Sequence, residues 1–516
     1  MKVAIIAVFM DYHRRGAHHR SALQPQIGPL LAALLPPDAD IEVINDTWVD
    51  PDWRKRYDLV FLSCVHSDFD RARQIARYFG NRGAKTVLGG TMASTFPHLC
   101  APYFDAVVVG DPEDTVPQIY QDVQHGCLQP LYRSTGYHPE KIPTPRTMFT
   151  AHQQLFPVAL EATRGCPFTC DFCALTGIGT RFKTQPVKKV AHDIICIKRD
   201  LTAKVPFWRR QMVMFYDNNL AGNLNYFRDL CDELKPLNIF WGTCLTFNVL
   251  TKRDLLKKMY QSGCRTVFVG LESFNPAAIA DFNKHQNRLS QVRRVFNDAR
   301  AEGILVTAGL MLSPLHDDVD YIRSIPKHLK DSGLHIPTFV CIETAIPGTP
   351  LFNRLADTPE PSFMPNTCLH DYNAYSLVIR PQKASTQDFI DAYQQTLREV
   401  YCPPQRLHKL VDDLPRLLRR GSWMGALISV ASALGANTPI VAGRTFVPKT
   451  DTLPLEVVPF TESDFDTEKM RLAFLKPTRV TDDAGRVLPM WRCHDAPFAE
   501  QKGRSRGGQS IDVMQS

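Results

Sequence analysis

Apolar positions fall in short unbroken runs over the first part of the chain, separated by stretches in which they recur every three or four residues. The runs are "KVAIIAVF" (2–9), "IEVIND" (41–46), "LVFLSC" (59–64), "KTVLGG" (85–90) and "DAVVVG" (105–110). Continuous β-rich runs of this kind predict strands buried on both faces, and the pieces between them are long enough for crossover helices. Residues 1–125 therefore read as a doubly wound, Rossmann-like α/β domain. Its ligand should lie beyond the carboxyl ends of the strands. The sequence places the polar loop Asp11–Gly16, Ser63, the run Gly89, Gly90 and Thr91, and the loop with Gly110, Asp111 and Glu113 at those ends.

From 126 to 157 the pattern dissolves, and prolines at 130, 139, 143 and 145 mark a linker. A second alternating series follows, with strands expected at 158–163, 211–217, 239–245, 266–273, 305–312 and 337–343. Amphipathic segments such as "VKKVAHDIICIKRDL" and "NLNYFRDLCDELKPL" separate them. Six β/α units predict a partial or full barrel over 158–355, whose site lies where the strands end. Those ends carry Cys166–Cys173, Asp217, Asn218 and Glu272. Residues 356–500 read as a mainly helical, then irregular, C-terminal region, and 501–516 as a disordered tail.

Composition narrows the class. A chain of 516 residues is too long for one core. With 44% hydrophobic and 22% charged residues it reads as an ordinary globular protein. The charge, 60 basic against 53 acidic residues, is +7 and spread along the chain, so no nucleic-acid partner is expected. The first apolar run meets Asp11 without a cleavage site, which reads as no export signal. Most of the 14 cysteines sit in apolar runs ("FLSCV", "IICIK", "GTCLTF", "FVCIE"), as free thiols of a reducing cytoplasm do.

Three cysteines break that scatter. "RGCPFTCDFC" sets Cys166, Cys170 and Cys173 in C-x3-C-x2-C spacing directly after a strand. Three thiolates on one loop can share a metal centre. A structural zinc site needs a fourth ligand, and no Cys or His stands at that spacing. An iron–sulfur cluster held by three cysteines instead leaves one iron open.

On this loop the chain resembles the radical S-adenosylmethionine (radical SAM) superfamily. The resemblance implies that Cys166, Cys170 and Cys173 hold a 4Fe–4S cluster whose open iron binds S-adenosylmethionine. One electron, from an external flavodoxin- or ferredoxin-type donor, then yields a 5′-deoxyadenosyl radical. It further implies cofactor contacts from Phe172 beside the adenine, from Asp217 and Asn218 in "FYDNN", and from Gly270 and Glu272 in "VGLES". A core residue at Phe172 and an internal salt bridge at Glu272 are the plain alternatives. "IPGTPLF" (346–352) matches the family's proline–glycine turn near the site.

The domain order, with "QPQIGPLLAALL", "GGTMAS" and "VVVGDPED" ahead of the cysteine loop, is similar to the subgroup with a cobalamin-binding domain. That resemblance implies cobalamin contacts from His13, Ser63, Gly89, Gly90, Thr91, Gly110, Asp111 and Glu113. "DYHRRG" has the D-x-H-x-x-G spacing that offers a histidine to cobalt. However, the next helix should start near Ile27 rather than just after Gly16, so a solvated loop is the alternative for His13. The implied function is a cobalamin-dependent C-methyltransferase acting on an unactivated carbon of a small or lipid-like metabolite. A radical cyclase or oxidase on the same scaffold is the alternative, followed by a tRNA methylthiotransferase or a non-enzymatic iron–sulfur or cobalamin protein. Tyr216, Cys244 and Cys341 are candidate hydrogen donors near the site. The apolar stretch 423–443 follows basic "RLLRRGS", is interrupted by Gly435, Asn437 and Pro439, and suits a buried helix, a pocket wall or a membrane surface better than a span.

Overall fold

The computed structural model describes residues 1–9, 26–46, 51–146, 156–358, 362–364 and 369–435. The Asp11–Gly16 loop with His13, the end of the 423–443 stretch and the tail lie outside the described residues.

The first sheet contains β1 (Lys2–Ala7), β2 (Asp40–Asn45), β3 (Leu59–Ser63), β4 (Lys85–Gly89), β5 (Ala106–Val109) and β6 (Leu131–Arg133). The order is β2-β1-β3-β4-β5-β6, with every pair parallel. Apolar runs without alternation are needed because both faces are covered. Ala4, Ile6, Val60 and Leu62 face the helix Phe69–Gly80. Val3, Ile5, Leu59 and Phe61 face the helices Ile27–Leu34 and Thr115–Gln124. Each valine, leucine, isoleucine and phenylalanine among them contributes roughly 1.5–3 kcal/mol by leaving water. The strand order reverses between β1 and β3, which sets the binding edge of a doubly wound sheet. The first helix among the described residues begins at Ile27. β6 falls inside the stretch read as linker, where a three-residue strand is too short to leave a pattern.

The second sheet contains β7 (Val158–Leu160), β10 (Met212–Phe215), β11 (Phe240–Leu245), β12 (Cys264–Glu272), β13 (Leu305–Leu312) and β14 (Phe339–Ile342). All pairs are parallel, in the order β14-β13-β12-β11-β10-β7, so the barrel is open between β7 and β14. β7 stops short because the chain turns into β8 (Thr163–Arg164), which pairs antiparallel with β9 (Lys183–Thr184). Outward side chains such as Val213, Phe215, Val267, Val269 and Val340 build the main core with the surrounding helices. Their neighbours Met214, Tyr216, Cys244, Phe268, Thr307 and Phe339 are half-buried and face the open interior, as period-two alternation requires.

The helices Pro403–Arg419 and Trp423–Gly435 close the base of the barrel. Leu417, Met424 and Ile428 pack against Met212 and Leu305, where β10 and β13 begin. Asp413, buried between them, accepts from Lys409 Nζ (2.6 Å) and Ser429 Oγ (2.7 Å) and pairs with Arg300 (3.3 Å). Among the described residues no helix is long and apolar enough to cross a membrane. At the opposite end Ala345, Leu351, Phe352 and Leu355, beyond β14, join the core of the first domain. The carboxyl edges of the two sheets therefore meet.

Candidate functional site

The three cysteines occupy the loop between β8 and β9, and the short β8–β9 ladder forms its neck. Gly165 enters the loop at φ +80°, where a Cβ would stand 2.5 Å from the Arg181 carbonyl oxygen, so glycine alone fits. The Cys173 amide donates to the Cys170 carbonyl (3.1 Å), and Thr176 and Gly177 close on the Cys173 carbonyl. The loop is pinned from outside as well. Asp171 N donates to the Phe282 carbonyl (3.2 Å), Leu351 N to the Asp171 carbonyl (3.0 Å), and Asn283 Nδ2 to the Thr169 carbonyl (3.0 Å).

Two amide side chains point donors at the sulfurs. Asn219 Nδ2 lies 3.8 Å from Cys166 Sγ, and Gln286 Nε2 lies 3.9 Å from Cys170 Sγ. Burial pushes the Cys170 and Cys173 thiols up, and the Lys284 ammonium nearby pulls both down. Among the described residues no three His, Cys, Asp or Glu side chains close on a point that one ion would fill.

The candidate cofactor contacts separate by environment. Phe172 is half-buried, edge-on to Phe282 (centroids 5.4 Å), with Lys284 Nζ 5.7 Å from its ring centre. Glu272 ends β12 at φ +66°, past a register shift, and its carboxylate pairs with buried Lys284. Burial works against the Lys284 charge, but Glu272 outweighs it and holds the ammonium above the ordinary lysine range. Gly270 makes room for this pair, because a Cβ there would fall 2.2 Å from Glu272 Oε1. Asp217 is fully buried and accepts from the backbone amides of Ala162 and Thr163 and from Thr163 Oγ1 (2.5 Å). Burial pushes its carboxyl up to about 7 against those donors. Asp217 thus clamps the start of the cysteine loop, and Asn218 beside it is exposed. Cys244 is raised to about 11 by burial, while Cys341 is buried and donates to the Leu310 carbonyl (3.3 Å).

In the first domain, Ser63, Gly89, Gly90, Thr91 and Gly110 lie side by side along the carboxyl edge of β3, β4 and β5. Gly90 has φ +94°, and a Cβ there would meet the Cys64 carbonyl oxygen at 2.7 Å. Asp111 and Glu113, expected at the same edge as ligand contacts, meet Arg164 of β8. Its guanidinium donates to Asp111 Oδ1 (2.7 Å), Glu113 Oε1 (2.8 Å) and Glu161, and lies 5.1 Å from the centre of the Tyr137 ring. The turn at Gly348, within "IPGTPLF", abuts Thr95 of the first domain, where a Cβ would come within 2.7 Å of Cγ2.

Asn219, Lys284, Gln286 and Arg164 were not singled out by the sequence. For Asn219 the signal was present: it adjoins Asn218 on the same exit from β10. Lys284 and Gln286 lie in "FNKHQNR", which has no distinguishing spacing.

A three-cysteine loop on the first strand of an open parallel barrel, beneath the edge of a doubly wound domain, defines a class, and the comparisons agree. The family model for the radical SAM superfamily matches residues 160–325. Bacteriochlorophyllide d C-8(2)-methyltransferase of Chlorobaculum tepidum is 27% identical over 410 residues, covering 75% of this chain and 89% of that protein. Hopanoid C-2 methylase of Rhodopseudomonas palustris is 25% identical over 352 residues, 65% of each chain. The solved structure of the radical S-adenosylmethionine methyltransferase TsrM from Kitasatospora setae, with cobalamin and a 4Fe–4S cluster bound, superposes with TM-score 0.57 at 13% identity, over 84% of this chain and 100% of that one. Residues 160–325 match the radical S-adenosylmethionine superfamily model, and the chain shares the fold of a solved protein of that kind that was determined with cobalamin bound.

Proposed function

We propose that this protein is a cobalamin-dependent radical SAM C-methyltransferase that acts on an unactivated carbon of a bulky, largely apolar metabolite. The observation that carries the proposal is the meeting of the two carboxyl edges, which sets the Ser63–Gly110 edge of the first domain over the cysteine loop. The named relatives, which methylate a bacteriochlorophyllide and a hopanoid, support the substrate class. So do the half-buried Phe268 and Phe339 in the barrel interior.

When bound, the cluster, S-adenosylmethionine and methylcobalamin supply a hydrogen-abstracting carbon radical and a methyl donor. The chain's own residues position these groups and exclude water. Cys166, Cys170 and Cys173 would hold the cluster. Asn219 and Gln286 donate to two of the sulfurs, and Lys284 adds positive charge beside them. Phe172, Gly270 and Glu272 would border S-adenosylmethionine, with Asn218 at the rim. Asp217 keeps the loop in register through Ala162 and Thr163. Ser63, Gly89, Gly90, Thr91 and Gly110 offer backbone and small side chains for close approach by a flat macrocycle. Tyr216 and Cys244 face the interior, where a hydrogen donor would stand. The cluster needs one electron from an external flavodoxin- or ferredoxin-type donor.

Anaerobic purification with reconstituted cluster and added cobalamin tests the proposal. The optical spectrum should contain both groups, and reduced protein should cleave S-adenosylmethionine to 5′-deoxyadenosine. Product gaining one methylene unit identifies methyl transfer, whereas product two hydrogens lighter identifies a cyclase or oxidase. Absence of cobalamin binding, or of cleavage, refutes the reading.

A further inference from the structure

The base of the barrel exposes an apolar surface that the chemistry at its mouth does not use. The helices Pro403–Arg419 and Trp423–Gly435 each bury one side under the strands and turn the other outward. On the second helix the outward stripe is Trp423, Leu427 and Leu434, joined by exposed Ala431. On the first helix it is Leu407, Val411 and Leu418. Spacings of three, four and seven keep each stripe on one face. The surface continues onto the strand side, because Trp423 stacks edge-on against Phe240 at 5.2 Å. Phe240 pairs with Met212, and the short helix just before Met212 exposes Phe207 and Trp208. These eight large side chains are between 44% and 70% exposed. An apolar surface of this extent on a folded chain marks an interaction site.

Charge indicates the occupant. The stretch 198–210 carries Lys198, Arg199, Lys204, Arg209 and Arg210 against Asp200 alone, a net of 5 − 1 = +4. Arg419 closes the first helix, beside Arg416 and Arg420, which pair with Asp412 (3.6 Å) and Glu302 (3.5 Å). Exposed aromatic and aliphatic side chains on adjoining elements, with arginine and lysine beside them, match the interfacial zone of a bilayer with anionic headgroups. We propose that this face docks on an anionic lipid surface. The chain then lies on the membrane without crossing it, with the barrel mouth directed away from the bilayer.

Cosedimentation of the full chain with phosphatidylglycerol–phosphatidylcholine vesicles tests the proposal. Binding should weaken with salt and on pure phosphatidylcholine. The double variant L407E/L427E should partition about tenfold less or worse, with unchanged circular dichroism and iron content. Brominated lipid should quench a fluorescence component that W423F lacks. Three results overturn the proposal: no binding to anionic vesicles, binding unchanged in L407E/L427E, or a solution dimer that the same variant dissociates. Protection of Trp423 from acrylamide in vesicle-free monomer would also overturn it, by placing the chain's own residues after 435 on this face.

Discussion

Replacing Arg164 with glutamine removes the guanidinium that three carboxylates share. The Glu113 side chain is fully buried, while Asp111 and Glu161 are about a quarter exposed, at 28% and 23%. Stranding a buried charge by deleting its partner costs about 3–5 kcal/mol. Water recovers most of the loss at the two half-open partners, which add about 1 kcal/mol or less each. The expected penalty is therefore about 4 kcal/mol, concentrated where the first domain meets the cysteine loop. The midpoint of thermal unfolding followed by circular dichroism should drop by about 4 °C. Hydrogen exchange should rise in 110–114 and 161–166 before it rises elsewhere. R164K keeps the charge but loses the planar fork, and should fall between. R164Q/E113Q should be more stable than R164Q alone, since neutral amides leave no unpaired charge in the interior. An R164Q midpoint within error of the parent, or a double variant that loses the sum of its two singles, would refute the argument that this node ties the domains.

Gly165→Ala places a Cβ against the Arg181 carbonyl at positive φ; purified protein should retain less iron per chain, and full retention would contradict the steric argument. Lys284→Met leaves the Glu272 carboxylate unpaired beside two cysteines, at a cost of about 3–5 kcal/mol; adding Glu272→Gln should restore most of the midpoint, and a further fall on adding it would count against the pair. Asp217 sits at about 7 rather than 3.8, so the folded state binds a proton there that the unfolded state has lost. That contribution to stability is complete below about pH 3.8 and declines as pH rises towards 7, by about 4 kcal/mol at most. Asp217→Asn should therefore flatten the fall in midpoint between pH 5 and 8, and an unchanged slope would show that Asp217 is already ionised in the folded protein at pH 5.

Strands were legible in the sequence because their signal is local. A strand covered on both faces must be apolar throughout, and its first polar residue marks where it emerges. That rule located β1 to β5 and all six barrel strands, and it identified Ser63, Gly90, Asp217 and Glu272 as residues at exits. It missed β6, because three residues hold no pattern. It also could not separate Asn218 from Asn219, because the chain leaves β10 irregularly and parity no longer decides which amide turns inward. The C-x3-C-x2-C loop was legible for a different reason: its chemistry is contained in eight consecutive residues.

What lay beyond the sequence is pairing across distance. Arg164 and Glu161 are three residues apart, but Asp111 and Glu113 reach Arg164 over more than fifty. Nothing in "GDPED" distinguishes a carboxylate that waits for a ligand from one already neutralised by the neighbouring domain. The same holds for Glu272, whose partner Lys284 arrives from the far side of a helix. A carboxylate at a strand end is expensive to leave buried and bare, so the fold supplies a cation wherever it can. Once those cations are assigned, the described part of that edge along β3, β4 and β5 offers groups that carry no charge: the Ser63 and Thr91 hydroxyls and the backbone at Gly89, Gly90 and Gly110. An uncharged, glycine-lined edge suits a broad flat ligand held by shape and backbone hydrogen bonds, while the acidic residues beside it fasten that edge over the cysteines.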